Sequence, residues 1–244
     1  MFKHIQIKTI NKNGINENLE SFVSDSEIRI KINDYATIHF ICLAENLDFL
    51  VYGYLRDLKD IKISKIENND IFVKTTLSKN EVLDLITQKE IVGTCESIEI
   101  TNLKAESKKI VIPFNNTRYK LKSDILLEIC NDFYKNIENK LYHARIISLE
   151  SLAFVDCKDT NIKTNIYKIL GKSKDYDLLL CAILLDCKMN PEILQILIKS
   201  KITFIIAKEI ENFATLKLAQ KFGLTIGYFC AGEIRILSHS SRII

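Results

Sequence analysis

Apolar and polar positions alternate with a period of two over residues 3–10 and over EIRIKIN at 27–33, the pattern of strands with one solvated face. ATIHFICLA at 36–44 is more continuously apolar and predicts a better-buried strand. The period then changes. Leu47, Leu50, Val51, Tyr54, Leu55 and Leu58 share one stripe behind Asn46, which predicts a capped amphipathic helix. Strands are expected around 60–66 and 70–76. Ser78 and Glu81 have capping-box spacing and open a short helix to about Gln88. IVGTCESIEIT at 91–101 and a run at 108–112 read as strands, and Pro113 closes the region.

The second half has another rhythm. Ile125, Ile129, Phe133 and Ile137 recur every four residues, an amphipathic helix. HARIISLE and SLAFVDC read as a strand pair. Asn161 caps a helix through about Leu170, with Gly171 at its end. LLLCAILL at 178–185 is a strand. Asn190, Pro191 and Glu192 are cap, first-turn proline and dipole-matching acid of a helix to about Lys199. ITFIIA is a strand, ENFATLKLAQKF a helix ended by Gly223, and LTIGYF another strand. This β-α-β-α-β order demands parallel strands joined by right-handed crossovers. The expectation is an α/β chain in two parts: an N-terminal β-rich α+β portion over 1–115 and a three-layer α/β/α domain over 116–244.

Composition narrows the classes. With 244 residues, 47% of them apolar, the chain can bury a substantial core. Two prolines and seven glycines leave no room for a disordered linker. A net charge of +3 is too mild to argue for nucleic acid. No apolar run reaches the ~18 residues of a membrane span, and MFKHIQIKTI lacks the features of a signal peptide. Seven irregularly spaced cysteines then read as reduced thiols of a cytoplasmic protein. The sequence holds no C-x-x-C, no dinucleotide or P-loop fingerprint and no zinc deaminase signature, and its four histidines are not at metal-ligand spacings, so no metal site is expected.

Parallel α/β sheets bind ligands beyond the carboxyl ends of their strands. Those ends carry Asp156, Cys157 and Lys158; Asp186, Cys187 and Lys188; Lys208 and Glu209; Cys230, Ala231 and Gly232. Helix starts at Asn161 and Asn190 aim at the same edge, which suits a phosphate-bearing ligand.

The last stretch, GLTIGYFCAGEIRILSHSSRII, resembles the closing block of the formate dehydrogenase accessory sulfurtransferases, the FdhD/NarQ family. Gly223, Thr225, Phe229, Gly232, Ile236, His239, Arg242 and Ile243 match. Fainter blocks precede it in the family's order: Phe49 to Leu55 around Gly53, Asn139 to Ala144 around His143, Asp156 to Asn161 with Gly171 behind, and Asp186 to Lys188 with Glu192 behind. Together they cover residues 27–243. The resemblance implies a cytidine-deaminase-like α/β/α domain without zinc and an N-terminal β-rich portion. It implies a homodimer that takes sulfur from a cysteine desulfurase as a cysteine persulfide. The sulfur passes to the molybdenum bis-guanine-dinucleotide cofactor needed by formate dehydrogenase or a related molybdoenzyme.

By block order Cys95 stands for the first cysteine of the family's G-C-G-x-C-G loop and is the candidate sulfur carrier, with Ile98 at the second cysteine position. One thiolate suffices for such a carrier. Pattern allows another reading, since Val92, Thr94, Glu96, Ile98 and Ile100 alternate against Cys95 as a continuous strand would, making it a small core residue. The resemblance, together with the strand-end placement of the lysines, gives His143, Asp156, Lys158, Asn161, Lys188, Lys208 and Gly232 as candidate cofactor contacts, with Arg235 a further cation for an anionic ligand. It departs where Ala231 and Lys188 replace arginines and where Asp159 and Thr160 replace an Arg-His pair. Two functions follow: a persulfide carrier working through Cys95, or a non-catalytic relative that binds or chaperones a molybdoenzyme or its assembly partner.

Overall fold

The computed structural model describes residues 2–91 and 120–244, apart from residues 13, 59 and 139. The strands expected at 91–101 and 108–112, Cys95 and the boundary at 115 lie outside the described residues.

Strands β1 (Phe2–Asn11) and β2 (Gly14–Val23) form a separate antiparallel hairpin. Only the first was legible, because GINENLESFV has no period-two alternation to mark it. Four strands follow: β3 (Ser26–Ile32), β4 (Ala36–Cys42), β5 (Lys62–Glu67) and β6 (Asp70–Lys74), in the spatial order β4-β3-β6-β5. Ile28, Ile30 and Ile32 of β3 and Ile71 and Val73 of β6 point to one face, where α1 (Leu47–Tyr54) and Val82 of α2 (Lys79–Ile91) cover them. Asn46 sits at the start of α1 as expected, but in the left-handed conformation with its side chain making no cap bond. Ser78 and Glu81 form the anticipated capping box: the Ser78 amide donates to the Glu81 carboxylate at 2.8 Å, and the Glu81 amide donates to Ser78 Oγ at 3.4 Å.

The second half opens with α3 (Ser123–Lys135) and β7 (Tyr142–Ser148), β8 (Phe154–Asp159) and α4 (Ile162–Lys172). Next come β9 (Cys181–Leu185), the two-residue β10 (Lys188–Met189), α5 (Pro191–Lys199), β11 (Phe204–Ala207) and the two-residue β12 (Glu209–Ile210). Finally α6 (Phe213–Lys221) leads to the hairpin of β13 (Thr225–Cys230) and β14 (Glu233–Ser238). Six strands make one sheet in the order β14-β13-β11-β9-β7-β8. Its centre, β9, β11 and β13, is parallel, as the alternation of strands and helices required. The flanking strands run antiparallel to their neighbours.

The layers follow from the alternation of side chains along these strands. Ile183, Leu185, Ile205 and Ile226 meet α4, α5 and α6 on one face. Ala182, Leu184, Phe204 and Ile206 meet Leu126, Cys130 and Phe133 of α3 on the other. The result is a three-layer α/β/α sandwich beside a smaller sheet with its own helices.

The two parts meet where α1 crosses α4. A Cβ on Gly53 would stand 1.7 Å from the Tyr167 carbonyl oxygen, and one on Gly171 would stand 1.9 Å from that of Phe49, so only glycines allow this approach. Gly171 therefore lies inside α4 as a contact point; Ser173, not Gly171, caps the helix. Phe40, Tyr54 and Tyr167 pack edge to face around the crossing, with centroids 5.0 Å apart for the Phe40–Tyr54 and Tyr54–Tyr167 pairs. Beneath it, Lys168 Nζ and Asp159 Oδ2 form a fully buried ion pair at 2.5 Å. Lys168 also donates to the Leu43 carbonyl at 2.7 Å, and Asp159 accepts from the Leu43 amide at 3.1 Å. One buried pair thus holds both backbone groups of a residue in the other part.

The C-terminus is tied back equally firmly. Buried Arg242 donates to the Gly223 carbonyl at 3.1 Å and to Thr225 Oγ1 at 2.8 Å, and Thr225 Oγ1 donates to the His239 carbonyl at 2.6 Å. Gly223 itself has φ of 67° and ends α6 as expected. Among the described residues, no helix is long and apolar enough to cross a membrane.

Candidate functional site

β7 runs antiparallel to β9, which brings the start of β7 beside the carboxyl end of β9. Tyr142 and His143 thereby join Asp186, and Lys208 at the end of β11 faces them. Between these strand ends and the loop after α3 lies a cleft of about 290 Å³ lined by Glu138, Lys140, Leu141, Tyr142, Asp186 and Lys208, with Ile137 behind. It occupies the edge where parallel α/β sheets take ligands.

Asp186 is the most deeply placed charge in it, only 9% exposed. Its Oδ1 accepts from the His143 amide at 2.8 Å, and its own amide donates to the His143 carbonyl at 3.2 Å. Burial raises its pKa above the usual carboxylate range, against the lowering pull of the His143 amide bond and of Lys208. His143 Nε2 accepts from the Glu138 amide at 3.2 Å, which puts the proton of a neutral ring on Nδ1. Behind the cleft, Tyr134 donates to the Leu185 carbonyl at 2.9 Å and stacks on Phe229 at 4.8 Å, which fixes the end of β9.

Lys208 makes no ion pair within 4 Å among the described residues, and Lys140 has none either, although it donates to the Ser21 carbonyl of β2. Lys208 thus faces one buried carboxyl group across an open cleft that Lys140 also lines. The arrangement suits a ligand that carries an anionic group for the lysines and a hydrogen-bonding edge for Asp186.

The expected contact residues divide. His143 and Lys208 come together here, and Lys158 stands beside them, but its Nζ is held by Glu138 Oε1 at 2.9 Å. Lys188 lies on the two-residue β10–β12 ladder paired with Glu209 at 2.9 Å. Asp156 faces α3 instead. Both its oxygens take the Arg145 guanidinium, at 2.6 and 2.8 Å, while Arg145 Nη1 reaches Asp132 at 2.6 Å and the guanidinium lies 4.1 Å from the Phe154 ring centroid. Asn161 caps α4 on the opposite face, accepting from the Lys163 amide at 2.9 Å. The start of that helix is further closed by Asp159, whose Oδ1 accepts from the Thr160 amide at 2.6 Å. Gly232, with φ of 79°, and Ala231, with φ of 51°, make the two-residue turn between β13 and β14.

Thiols sort by exposure. Cys42, Cys130, Cys157, Cys181 and Cys187 are buried, and burial pushes their pKa values up to between about 11 and about 12. Each stays protonated and unreactive at neutral pH. Cys230, at the edge of the β13–β14 turn, is the exposed thiol among the described residues. Cys95 lies outside them. Glu138, Lys140 and Tyr142 did not emerge from sequence because their role depends on β7 pairing with β9, which strand patterns do not specify. Among the described residues, no group of three His, Cys, Asp or Glu side chains could hold a metal ion.

No protein-family model matches the chain. No curated protein matches it either. Among solved structures, it is similar to the crystal structure of a protein assigned as a formate dehydrogenase accessory protein from Desulfotalea psychrophila. The TM-score is 0.73 at 14% identity, covering 100% of this chain and 99% of that one. At so low an identity the likeness is one of fold, and it runs from end to end: this chain has the same α/β architecture as that protein.

Proposed function

We propose that this chain is an accessory protein of formate dehydrogenase maturation that carries sulfur on Cys95 and seats the molybdenum bis-guanine-dinucleotide cofactor, as cargo, in the strand-end cleft. The observation that supports this reading most is the cleft itself. Among the described residues, Lys140 and Lys208 line it beside buried Asp186 without a carboxylate partner, in a fold shared along its whole length with a protein assigned as a formate dehydrogenase accessory protein. The lysines would take phosphate groups, and Asp186 would orient the remainder. In the carrier step, the Cys95 thiolate attacks the outer sulfur of a cysteine desulfurase persulfide. The donor S–S bond breaks, the donor leaves as a thiolate, and a new S–S bond leaves the persulfide on Cys95, with no net change of oxidation state. The reading places the chain as a homodimer in the cytoplasm, where thiols stay reduced.

The test is incubation with a cysteine desulfurase and cysteine, followed by mass spectrometry of the peptide that bears Cys95. A gain of about 32 Da, one sulfur atom, is expected there and not in the Cys95→Ala variant. Absence of that label on Cys95 rejects sulfur carriage.

A second reading, a non-catalytic binding partner in molybdoenzyme assembly, is favoured by one set of contacts. Lys158 and Lys188, two of the expected anion contacts, are neutralised by Glu138 and Glu209. On this reading a Cys95→Ala chain still restores formate dehydrogenase activity in cells. On the first it does not.

A further inference from the structure

Both α1 and α4 end in a cap residue followed at once by a cation: Leu55 then Arg56, and Ser173 then Lys174. The crossing of the two helices brings these cations to one cleft of about 390 Å³, with Tyr52 beside them and Leu58, Ile61 and Leu170 as its apolar floor. Leu58 belongs to the core of the smaller sheet and Leu170 to that of the larger one, and both are buried, so the floor spans the seam and is fixed from either side. Lys174 Nζ lies 5.4 Å from the Tyr52 ring centroid, a cation–π contact that positions the ammonium group at the cleft. The volume falls within the roughly 300–1,000 Å³ of small-ligand pockets.

Among the described residues that line this cleft there are two cations and no carboxylate. Asp57, the carboxylate that acts on Arg56, lines a separate recess of about 40 Å³ together with Lys199 and Arg56 itself. Asp60 accepts from the Thr76 hydroxyl at 3.3 Å. Burial lowers the Arg56 pKa against the raising pull of Asp57 and Cys181, so the guanidinium stands where its charge is poorly solvated, and an anion beside it is favoured. Arg56 in turn lowers the pKa of Cys181, which places it toward the amino end of β9. Asp186 lies past the other end of that strand, about 17 Å away at about 3.3 Å per residue. The seam cleft and the strand-end cleft are therefore different places, and only the second holds a buried carboxyl group.

We propose that the seam cleft is a second ligand site, built for a small organic anion with an apolar body, such as an aryl phosphate or an aryl carboxylate. The acidic group sits between Arg56 and Lys174, and the apolar body covers Leu58, Ile61 and Leu170. Arginine suits both halves of such a ligand, because its planar fork pairs with phosphate or carboxylate and its face stacks on an aromatic ring. The floor supplies what an inorganic anion cannot use, since covering apolar surface adds to affinity only when the ligand brings apolar surface of its own. The site stands or falls independently of sulfur transfer and of cofactor binding at the strand ends.

The experiment is isothermal titration of the full chain with phenyl phosphate, benzoate and inorganic phosphate, in a Lys208→Ala background that weakens anion binding at the strand-end cleft. Phenyl phosphate and benzoate are expected to bind, and inorganic phosphate about tenfold more weakly than phenyl phosphate. Arg56→Gln and Lys174→Gln should each weaken phenyl phosphate about tenfold, with circular dichroism unchanged, and Arg56→Lys should lose less than Arg56→Gln. In the chain without these substitutions, phenyl phosphate should slow acetylation of Lys174 by acetic anhydride, read by mass spectrometry of its peptide. Failure of both organic anions to bind overturns the proposal. So does binding indifferent to Arg56→Gln and Lys174→Gln, or inorganic phosphate binding as tightly as phenyl phosphate. Cations that serve only the carboxyl ends of α1 and α4 predict another result, a loss of stability in both glutamine variants with no organic anion bound by the parent, and that result also overturns it.

Discussion

Lys168 and Lys208 are the same residue type in two regions that use it in opposite ways. At the seam between the two sheets, Lys168 is 1% exposed, its ammonium held by Asp159 and the Leu43 carbonyl, so charge serves cohesion there. At the strand-end cleft, Lys208 is exposed and without an ion pair among the described residues, and the carboxyl group it faces is the one held above its usual pKa. A satisfied buried pair has no capacity left for a ligand. An unsatisfied, half-wet one has. Asp159, Gly53, Gly171, Thr225 and Arg242 build the fold, whereas Asp186 and Lys208 are left to bind.

Removing Lys168 is the sharpest way to break that contrast. Lys168→Met leaves the Asp159 carboxylate buried without its partner and is expected to cost about 3–5 kcal/mol in urea denaturation. Adding Asp159→Asn removes the stranded charge while keeping an acceptor for the Leu43 amide, so the double variant should be more stable than the single one. Lys208→Ala, by contrast, should stay within about 0.5 kcal/mol of the parent and lower its affinity for inorganic pyrophosphate. If the two lysine variants proved equally stable, the assignment of one to structure and the other to binding would fail.

Gly171→Ala comes next in size. The new methyl group would overlap the Phe49 carbonyl, so α1 and α4 must separate, at an expected cost of about 3 kcal/mol. The same substitution at Gly232, where a Cβ meets nothing within 4 Å, adds strain only through its positive φ and is expected to cost about 1 kcal/mol.

The thiols give a third, pH-dependent contrast. An unfolded cysteine ionises near pH 9, but Cys187 in the fold stays protonated until about 12. Its folded-state pKa is raised, so its contribution to stability is complete below pH 9 and is lost as pH rises toward 12. Each such thiol steepens the fall by about 1 kcal/mol per pH unit across that window. Cys187→Ala should flatten the profile of stability against pH between 9 and 11. At pH 8, maleimide should label Cys230 while the native fold protects the five buried thiols.

How far the sequence reveals all this depends on range. The parallel order of β9, β11 and β13 was legible because Asn190, Pro191 and Gly223 punctuate the helices between them. The ten-residue β2 was not, because its burial is too uniform to leave a pattern. Gly171 looked like a helix terminator, since a local pattern cannot distinguish a cap from a contact 118 positions away at Gly53. His143 and Lys208 were found as strand-end residues. The cleft that Lys208 lines and His143 adjoins was not, because it is made by β7 lying beside β9, a pairing of distant segments on which period-two alternation is silent.

The smallest effect tests the cleft most directly. Burial favours the protonated form of Asp186, so its ionisation opposes folding at neutral pH, and that cost disappears as pH falls below its folded-state pKa. Asp186→Asn keeps an acceptor for the His143 amide and removes the charge. It is expected to raise stability slightly at pH 7 and to leave it unchanged in acid, with the two curves converging as the parent's carboxyl group takes up its proton. An anion held by Lys140 and Lys208 should also bind more tightly to the variant at pH 7, since the opposing carboxylate is gone, and isothermal titration with inorganic pyrophosphate reads that change. Weaker binding instead would mean that Asp186 accepts a hydrogen bond from the anion's protonated form or otherwise holds the lysines in place, and the cleft would then act as a single preorganised unit in which the carboxylate is part of the recognition.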